Sequence, residues 1–304
     1  MKKILVLIPH RGLGDLVYIL PLLKSLYQTY AAKIDILSNL SNKAKYVYEN
    51  EDFVKSIQEF ELDHKNLIFN IKKKLEYLSK INSYKANLLI VTGRHSSLII
   101  PYHLSNAQNK KMFDLFFFNS RDPKTKNLLS CEKIYNNTKN LNLKSFTENF
   151  KLKLSKKNFL EKSIFFNIDS HHGQNNWPVK NFIHIINKVK FNYDRVFINF
   201  SPNNISFIKE IPENILSSSN ITLTYQFRFN KILEILQSCS IVIGNESGLI
   251  CLGLSYGKKV ISIYDEKYTR PESSIINGNV KYFNSTTTKE EDIIEGILDT
   301  LNLK

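Results

Sequence analysis

The sequence predicts an α/β fold in which two doubly wound, Rossmann-like domains face each other across a cleft. The chain has 304 residues, which exceeds the usual size of a single hydrophobic core, so two domains are expected. In both halves, short apolar segments typical of buried parallel strands alternate with segments that have the apolar spacing of amphipathic helices. Each half also carries a glycine-containing loop directly after a strand, where open α/β sheets bind their ligands.

The first half opens with a strand, a glycine-containing loop, a helix and a second strand. The segment 3–8 is mostly apolar and ends at Pro9, as expected for a strand buried on both faces. The loop 10–15 follows, and apolar residues then recur every three or four positions from 16 to 30, which predicts a helix. A strand at 33–37 completes the unit, which implies a parallel sheet.

The same alternation continues to the end of the chain. Residues 151–162 are polar and lack a clear period, so we place the boundary there and predict domains 1–155 and 156–304. The final helix follows a predicted capping box at 288–291, and we expect that it can pack back on the first domain. The other predicted strands are 87–91, 113–118, 163–168, 195–200, 220–224, 241–243 and 259–264. The other predicted helices are 41–48, 65–80, 179–189, 231–239 and 247–256.

Composition and charge restrict the location and the partners of the protein. No apolar run is long enough to span a bilayer, and the N-terminal apolar run ends at Pro9-His10-Arg11 without a cleavage site behind it. Three widely spaced cysteines and the absence of a chelating histidine pattern predict a reducing compartment and no metal site. We therefore expect a cytoplasmic protein. The net charge of +14 favours a negatively charged partner, such as a phosphorylated substrate, anionic lipid head groups or nucleic acid.

The loop of the second half is the first candidate site. It comprises Gly244, Asn245, Glu246, Ser247 and Gly248, and the last two residues open a predicted helix. The free backbone N–H groups and the dipole at a helix N-terminus can receive a diphosphate, and the serine hydroxyl can add a further donor. The alternative is that Ser247 is an ordinary N-cap and Gly248 a turn residue. Taken alone, the loop favours neither interpretation.

The loop of the first half also allows more than one interpretation. Gly12 and Gly14 match part of a dinucleotide-binding fingerprint, but Val17 occupies the position of the third glycine. Asp35 lies at about the distance expected of a ribose-binding acid, although within a predicted strand, so a nicotinamide-dependent oxidoreductase is one alternative. Asp15 is either a cap for the first turn of the helix or a general base at the mouth of the cleft.

Taken in order, these motifs resemble glycosyltransferase family 9, the ADP-heptose–lipopolysaccharide heptosyltransferases, which have the glycosyltransferase-B fold. The segment 12–15 is similar to the family's N-terminal loop, and 88–96 is similar to its acceptor-side strand and loop. Residues 176–182 resemble the Trp-Pro start of a helix, and 241–249 resemble the donor loop. The resemblance extends over most of the chain in the same order.

The resemblance implies an inverting, metal-independent transfer of heptose or a related sugar from a nucleotide-diphosphate donor to a lipopolysaccharide-type or other surface glycan. Asp15 would be the general base. No cofactor beyond the sugar donor and no nucleic acid is implied, and an anionic, lipid-linked acceptor would place the enzyme at the cytoplasmic face of the inner membrane. The implied donor-binding residues are Gly244, Glu246, Ser247, Gly248, Leu249 and Lys180, and the implied acceptor-binding residues are Arg11, Gly12, Gly14 and Arg94.

Three positions depart from the family pattern on the donor side. Asn175 stands where a lysine that contacts the donor phosphates is usual, Glu246 replaces an aspartate, and Cys251 replaces a histidine. Without that lysine, Lys180 or Arg11 is the candidate cation for the diphosphate. The departures keep two alternatives open, namely a different donor sugar or nucleotide, and a binding protein of the same fold that has lost transfer activity.

Overall fold

The computed structural model contains two compact units, residues 1–150 and residues 151–304. The structure describes residues 2–62, 71–93, 95–113, 128–139, 141–154, 160–170, 176–265 and 270–302. Each unit is built on a parallel sheet, so the predicted α/β class is confirmed. None of the helices in these ranges is long and apolar enough to cross a membrane.

The first unit contains a five-stranded parallel sheet. Its strands are β1 (Ile4–Ile8), β2 (Ile34–Asn39), β3 (Val54–Phe60), β4 (Leu88–Val91) and β5 (Asn109–Met112), in the order β3-β2-β1-β4-β5. Its helices are α1 (Leu13–Tyr30), α2 (Ala44–Tyr48), α3 (Ile71–Ser83), α4 (Ser96–Leu104) and α5 (Ser130–Lys139). The all-apolar β1 is buried in the middle, paired with β2 on one side and β4 on the other. The strand order therefore reverses between β1 and β4, and the carboxyl ends of the strands at such a reversal form the usual ligand crevice.

The second unit contains a six-stranded parallel sheet. Its strands are β6 (Ser163–Asn167), β7 (Arg195–Asn199), β8 (Ile221–Leu223), β9 (Ile241–Asn245), β10 (Lys259–Tyr264) and β11 (Val280–Asn284), in the order β11-β10-β9-β6-β7-β8. Its helices are α6 (Val179–Val189), α7 (Glu213–Leu216), α8 (Phe229–Ser238), α9 (Gly248–Ser255) and α10 (Glu290–Thr300). The buried side of α6, including Phe182, packs with the sheet and with Ile293 of α10 in one hydrophobic core. Here the strand order reverses between β6 and β9.

The edge strands and several short elements differ from the expectations drawn from the sequence. The sequence pattern does not predict β3 and β11, because their half-exposed faces carry polar residues that interrupt the apolar run. It does not predict α4, α5 and α7 either. The strand expected at 113–118 is found at Asn109–Met112, and residues 114–118 lie outside the described residues. The helix expected at 65–80 is described as Ile71–Ser83, and the helix expected at 41–48 is a 3-10 turn at Leu40–Asn42 followed by α2.

The ends of two helices test the predicted caps. The N-cap of α10 is Lys289, which makes no side-chain capping bond, so the predicted capping box at 288–291 is wrong. Thr288 stays in the preceding turn because its backbone N–H donates to the carbonyl oxygen of Asn284 at 3.0 Å. The predicted C′ glycine after α9 is confirmed, since Gly257 has a φ of +71°.

Candidate functional site

The predicted phosphate loop of the second unit lies at the point where the strand order reverses. Gly244 in β9 is paired with Asn167 at the end of β6. A Cβ atom at position 244 would lie 2.2 Å from the carbonyl oxygen of Asn167, so only a glycine lets the two backbones approach this closely. Gly244 and Asn245, predicted as loop residues, thus belong to β9, and Gly244 has a packing role there.

Asn245 fastens the end of β9 to the start of α6. Its Oδ1 accepts a hydrogen bond from the backbone N–H of Trp177 at 2.9 Å, and its Nδ2 donates to the carbonyl oxygen of Ile168 at 3.0 Å. The side chain is buried, so both polar ends need these partners. The Trp177 ring in turn contacts Phe182 edge to face, with ring centroids 5.0 Å apart. The Trp-Pro segment noted in the sequence is therefore held beside the loop.

Ser247 is the N-cap of α9, but its hydroxyl does not act as a cap. In the part of the chain that the structure describes, its side chain makes no capping bond to the helix. Its Oγ instead lies 3.1 Å from Nδ2 of Asn167. The first backbone N–H groups of a helix have no acceptor within the helix, so at α9 they are not taken up by the serine oxygen. The Ser247 hydroxyl is therefore not an ordinary cap, and phosphate binding at this helix start stays a prediction.

The Glu246 carboxylate is held by serines from two neighbouring segments. Ser262 of β10 donates its hydroxyl, and Ser273 donates both its backbone N–H, at 2.7 Å, and its hydroxyl, at 2.9 Å. Burial raises the pKa of Glu246 above its usual value, and the hydrogen bonds from the two serines oppose that rise. The side chain thus anchors the loop to the neighbouring strand. A direct contact between Glu246 and a sugar donor stays a prediction.

Lys180, Leu249 and Cys251 are the other donor-side positions that the structure describes. Lys180 lies in the first turn of α6, and its Nζ is 3.7 Å from Oε2 of Glu290 in the first turn of α10. Both side chains are well exposed, and such ion pairs contribute little free energy. A role of Lys180 at the donor stays a prediction. Leu249 is half-buried in α9 and Cys251 is buried. Position 175, where the family lysine is missing, lies outside the described residues.

The structure adds an aspartate that the sequence interpretation misses. Asp169, just after β6, accepts hydrogen bonds from the backbone N–H of Ser201 at 3.0 Å and from Nδ2 of Asn204 at 2.8 Å. Its other oxygen accepts from Nδ2 of Asn176 at 3.1 Å, just before the Trp-Pro pair. One buried carboxylate therefore joins three segments at the carboxyl edge of the sheet. The available signal was its position directly after a buried strand.

In the first unit, the loops after β1 and β4 come together at the corresponding reversal. The Nε2 atom of His10 lies 2.7 Å from the carbonyl oxygen of Thr92. A Cβ atom at Gly93 would lie 2.7 Å from the His10 ring, so the two loops are in close contact. Gly14 is half-buried in the first turn of α1.

Asp15 also lies in the first turn of α1. Its Oδ2 accepts a hydrogen bond from the backbone N–H of Gly12 at 3.1 Å, so Asp15 caps the first turn of the helix. A cap does not exclude a second role, since a carboxylate has two oxygens that can each accept more than one bond. The general-base role stays a prediction.

A histidine joins the predicted acceptor-side residues. His95 caps α4, because its Nδ1 accepts from the backbone N–H of Ser97 at 3.3 Å. Burial lowers the pKa of His95, and the nearby charge of Arg11 lowers it further. Arg11 is exposed, whereas Arg94 lies outside the described residues. The reversal point of the first unit therefore holds a cation and an imidazole that favours the neutral form.

Asp35 does not occupy the position that a dinucleotide-binding site requires. It is the second residue of β2, so it lies near the amino end of the strand, and a ribose would bind at the carboxyl end. Its carboxylate contacts Lys55 Nζ at 2.9 Å and Ser56 Oγ at 2.6 Å. These contacts give Asp35 a structural role. They remove the main support for the alternative that the protein is an oxidoreductase. Within the described ranges, no group of three His, Cys, Asp or Glu side chains is placed to hold a metal ion.

Acid is expected to destabilise the first unit through His10. Burial lowers the pKa of His10 to about 4, although the bond to Thr92 opposes this shift. The unfolded chain, with a histidine pKa of about 6.5, binds the proton more tightly, so stability is full above that pH and falls as the pH decreases towards 4. We expect a loss of about 3 kcal/mol between pH 7 and pH 4, measured by urea unfolding.

A pair of histidine variants isolates this contribution. In His10→Gln the amide can still donate to Thr92 but does not titrate. The loss of unfolding free energy between pH 7 and pH 4 should therefore be smaller by about 3 kcal/mol than in the unmodified protein. His184→Gln, at an exposed position of α6, should unfold with the pH dependence of the unmodified protein. Equal pH dependence in the His10 variant and the unmodified protein would show that His10 does not carry the effect.

Comparison with known proteins gives one family match and several structural matches. Residues 132–297, slightly more than half of the chain, match the family model of glycosyltransferase family 9 (heptosyltransferase). The structure is similar to the glycosyl transferase family 9 protein from Veillonella parvula DSM 2008, with 16% identity, a TM-score of 0.75 and coverage of 99% of this chain and 89% of that chain. It is also similar to E. coli ADP-heptose lps heptosyltransferase II, with 13% identity, a TM-score of 0.73 and coverage of 99% and 98%.

A third similar structure is E. coli heptosyltransferase WaaC with ADP, at 14% identity and a TM-score of 0.74, covering 99% of each chain. At these identities the structural similarities establish the fold alone. No curated protein sequence matches the chain significantly.

Proposed function

This chain belongs to glycosyltransferase family 9, and from that membership we propose that it transfers heptose or a related sugar from a nucleotide-diphosphate donor to an anionic surface glycan. The sugar-transfer activity follows from the family. The donor, the acceptor and the residues that act on them are the proposal. The main support for the proposal is the N-terminus of α9, which lies at the strand-order reversal. There the Ser247 hydroxyl makes no capping bond and contacts Asn167 instead.

The diphosphate of the donor would bind at this helix start. Charge builds up on the diphosphate as the bond to the sugar breaks, so donors that are already oriented stabilise the transition state. The backbone N–H groups of α9, the helix dipole and the Ser247 hydroxyl supply such donors. Lys180 or Arg11 would add positive charge.

The reaction would be a single displacement with inversion at the anomeric carbon. The oxygen of the acceptor hydroxyl forms the new bond to that carbon, and its proton passes to the carboxylate of Asp15. The bond between the anomeric carbon and the donor phosphate oxygen breaks, and the nucleoside diphosphate leaves with the electron pair. Arg11 and Arg94 would hold anionic groups of the acceptor, and the net charge of +14 supports an anionic partner.

ADP is our first candidate for the nucleotide. One of the similar structures, the E. coli heptosyltransferase WaaC, was solved with ADP, and we extend that ligand to this chain as a proposal. Asn175, Glu246 and Cys251 stand where the family has other residues, so the proposal includes sugars related to heptose. A lipid-linked acceptor would place the enzyme at the cytoplasmic face of the inner membrane as a peripheral protein.

A thermal-shift series tests the donor. We expect the melting temperature to rise with ADP more than with UDP or GDP, because a ligand that binds only the folded state stabilises it by mass action. At a concentration of 100 times Kd this contribution is about 2.7 kcal/mol. NAD is included as the probe for an oxidoreductase. A shift with NAD and none with any nucleoside diphosphate would contradict the proposal.

A further inference from the structure

We infer that Asn167 and Asn199 are positioning residues that fix the direction of the Ser247 hydroxyl, so that it presents its proton, rather than a lone pair, to the donor diphosphate. This inference rests on the proposed function, because it concerns the serine that we place at the phosphates. It adds two residues and a mechanism that the predicted donor site does not contain.

The hydrogen-bond partners of Asn167 determine which way its side-chain amide faces. Its Nδ2 lies 2.7 Å from the carbonyl oxygen of Asp169. A carbonyl oxygen can only accept, so the amide group that faces it must be the NH₂ group. Asn167 is buried, which makes the reversed orientation unfavourable because it would set two oxygens against each other.

The hydrogen bonds of Asn199 and Thr224 agree with this orientation of the Asn167 amide. With its NH₂ towards Asp169, Asn167 turns Oδ1 to Asn199, whose Nδ2 donates to it at 2.7 Å. The Oδ1 of Asn199 then accepts from the Thr224 hydroxyl at 2.8 Å. These three side chains come from the ends of adjacent strands or the residue just after, and all are buried. Every bond in the series has the same direction, so the series reinforces one orientation.

The orientation of Asn167 determines how the Ser247 hydroxyl is used. The second N–H of the Asn167 amide is directed to Ser247 Oγ, at 3.1 Å. Because Asn167 donates, the serine oxygen accepts, and the serine proton is left for another acceptor. A serine that capped α9 would also accept, but from the backbone N–H groups that an anion needs. Asn167 therefore preserves both the helix N–H groups and the serine proton for the same ligand.

The affinity for the donor diphosphate should fall when the Asn167 amide no longer has this orientation. If the amide were reversed, Ser247 would donate to its oxygen and turn a lone pair towards the negatively charged phosphates. A hydrogen bond to a charged group typically changes an affinity by about 10- to 100-fold. We expect an effect of this size at Asn167 and a smaller one at Asn199, which acts through Asn167.

A double-mutant cycle separates positioning from general damage. Calorimetry at fixed ionic strength gives the affinities of ADP and of inorganic pyrophosphate, which has no base, for the unmodified protein, Asn167→Ala, Ser247→Ala and the double variant. In Asn167→Ala and in Ser247→Ala, we expect the affinity for each probe to fall by about 10- to 100-fold. When Asn167→Ala is added to Ser247→Ala, the affinity should fall by less than about a further twofold. Asn199→Ala in the same cycle provides a second series if Asn167→Ala does not fold.

Asn220→Ala is the matched control. Asn220 also bridges two segments of the second unit, since its Nδ2 donates to the carbonyl oxygens of Lys190 and Tyr193. This variant should melt earlier but bind both probes with unchanged affinity. Unchanged affinity in Asn167→Ala, or an equal loss with and without Ser247, would overturn the inference while leaving the proposed function standing. An unmodified protein that binds neither probe would overturn both.

Discussion

Asp15→Asn is expected to lower the rate of sugar transfer by about 10²- to 10⁴-fold, the range that general acid–base catalysis contributes. An asparagine side chain has the shape of the aspartate but cannot take up the proton of the acceptor hydroxyl. Its Oδ1 can still accept from the Gly12 N–H, which the aspartate does at 3.1 Å. The variant should therefore remain folded with the first turn of α1 capped. Initial rates at saturating donor and acceptor measure the effect.

Two further variants distinguish the base from the cap. Asp15→Ala removes both roles, so it should lower the rate and also destabilise the protein. The loss of a helix cap typically lowers the free energy of unfolding by about 1 kcal/mol. Asp292→Asn makes the same chemical change in the first turn of α10 and should leave the rate unchanged. If Asp15→Asn kept more than a tenth of the rate, the carboxylate would be a cap alone and the base would have to be sought elsewhere, with His95 as the first candidate.

Gly244→Ala is expected to destabilise the second unit by about 3 kcal/mol, at the upper end of the usual cost of overpacking. The added Cβ would lie 2.2 Å from the carbonyl oxygen of Asn167 and 2.8 Å from its Cβ. These atoms belong to β6, a central strand paired on both sides, so they cannot move aside as the end of a flexible side chain would. The same displacement would separate Asn167 from Ser247, so ADP affinity should fall as well.

Gly253→Ala provides the comparison. Its Cβ would meet the Cγ2 atom of Val242 at 3.3 Å, a side-chain contact that can relax by a few tenths of an ångström. Alanine is also favoured over glycine in a helix by about 1 kcal/mol, so the net change should be small. Urea unfolding of both variants gives the free energies. A Gly244→Ala protein as stable as Gly253→Ala would show that the two strands can separate without cost.

Local sequence patterns were sufficient for most of the architecture. A strand that is buried on both faces, such as β1, must be apolar along its length, and its carboxyl end is marked by the loop with Gly12. The same logic located β9 and the loop that ends at Gly248. It failed at β3 and β11, because an edge strand exposes one side to water and its polar residues then resemble those of a loop.

The sequence by itself determined the α/β class, the two glycine-containing loops and the order of motifs that corresponds to glycosyltransferase family 9, because all of these depend on residues that are close in the chain. Only the tertiary structure decided which group the Ser247 hydroxyl contacts. The pattern left two roles for it, a cap or a phosphate ligand; in the structure it makes no capping bond and contacts Asn167, which is 80 residues away. Asn167 and Asn199 are likewise 32 residues apart in sequence and meet only because β6 and β7 pair in register. Hydrogen bonds act over about 3 Å, so their partners are set by the packing of strands rather than by proximity in the chain.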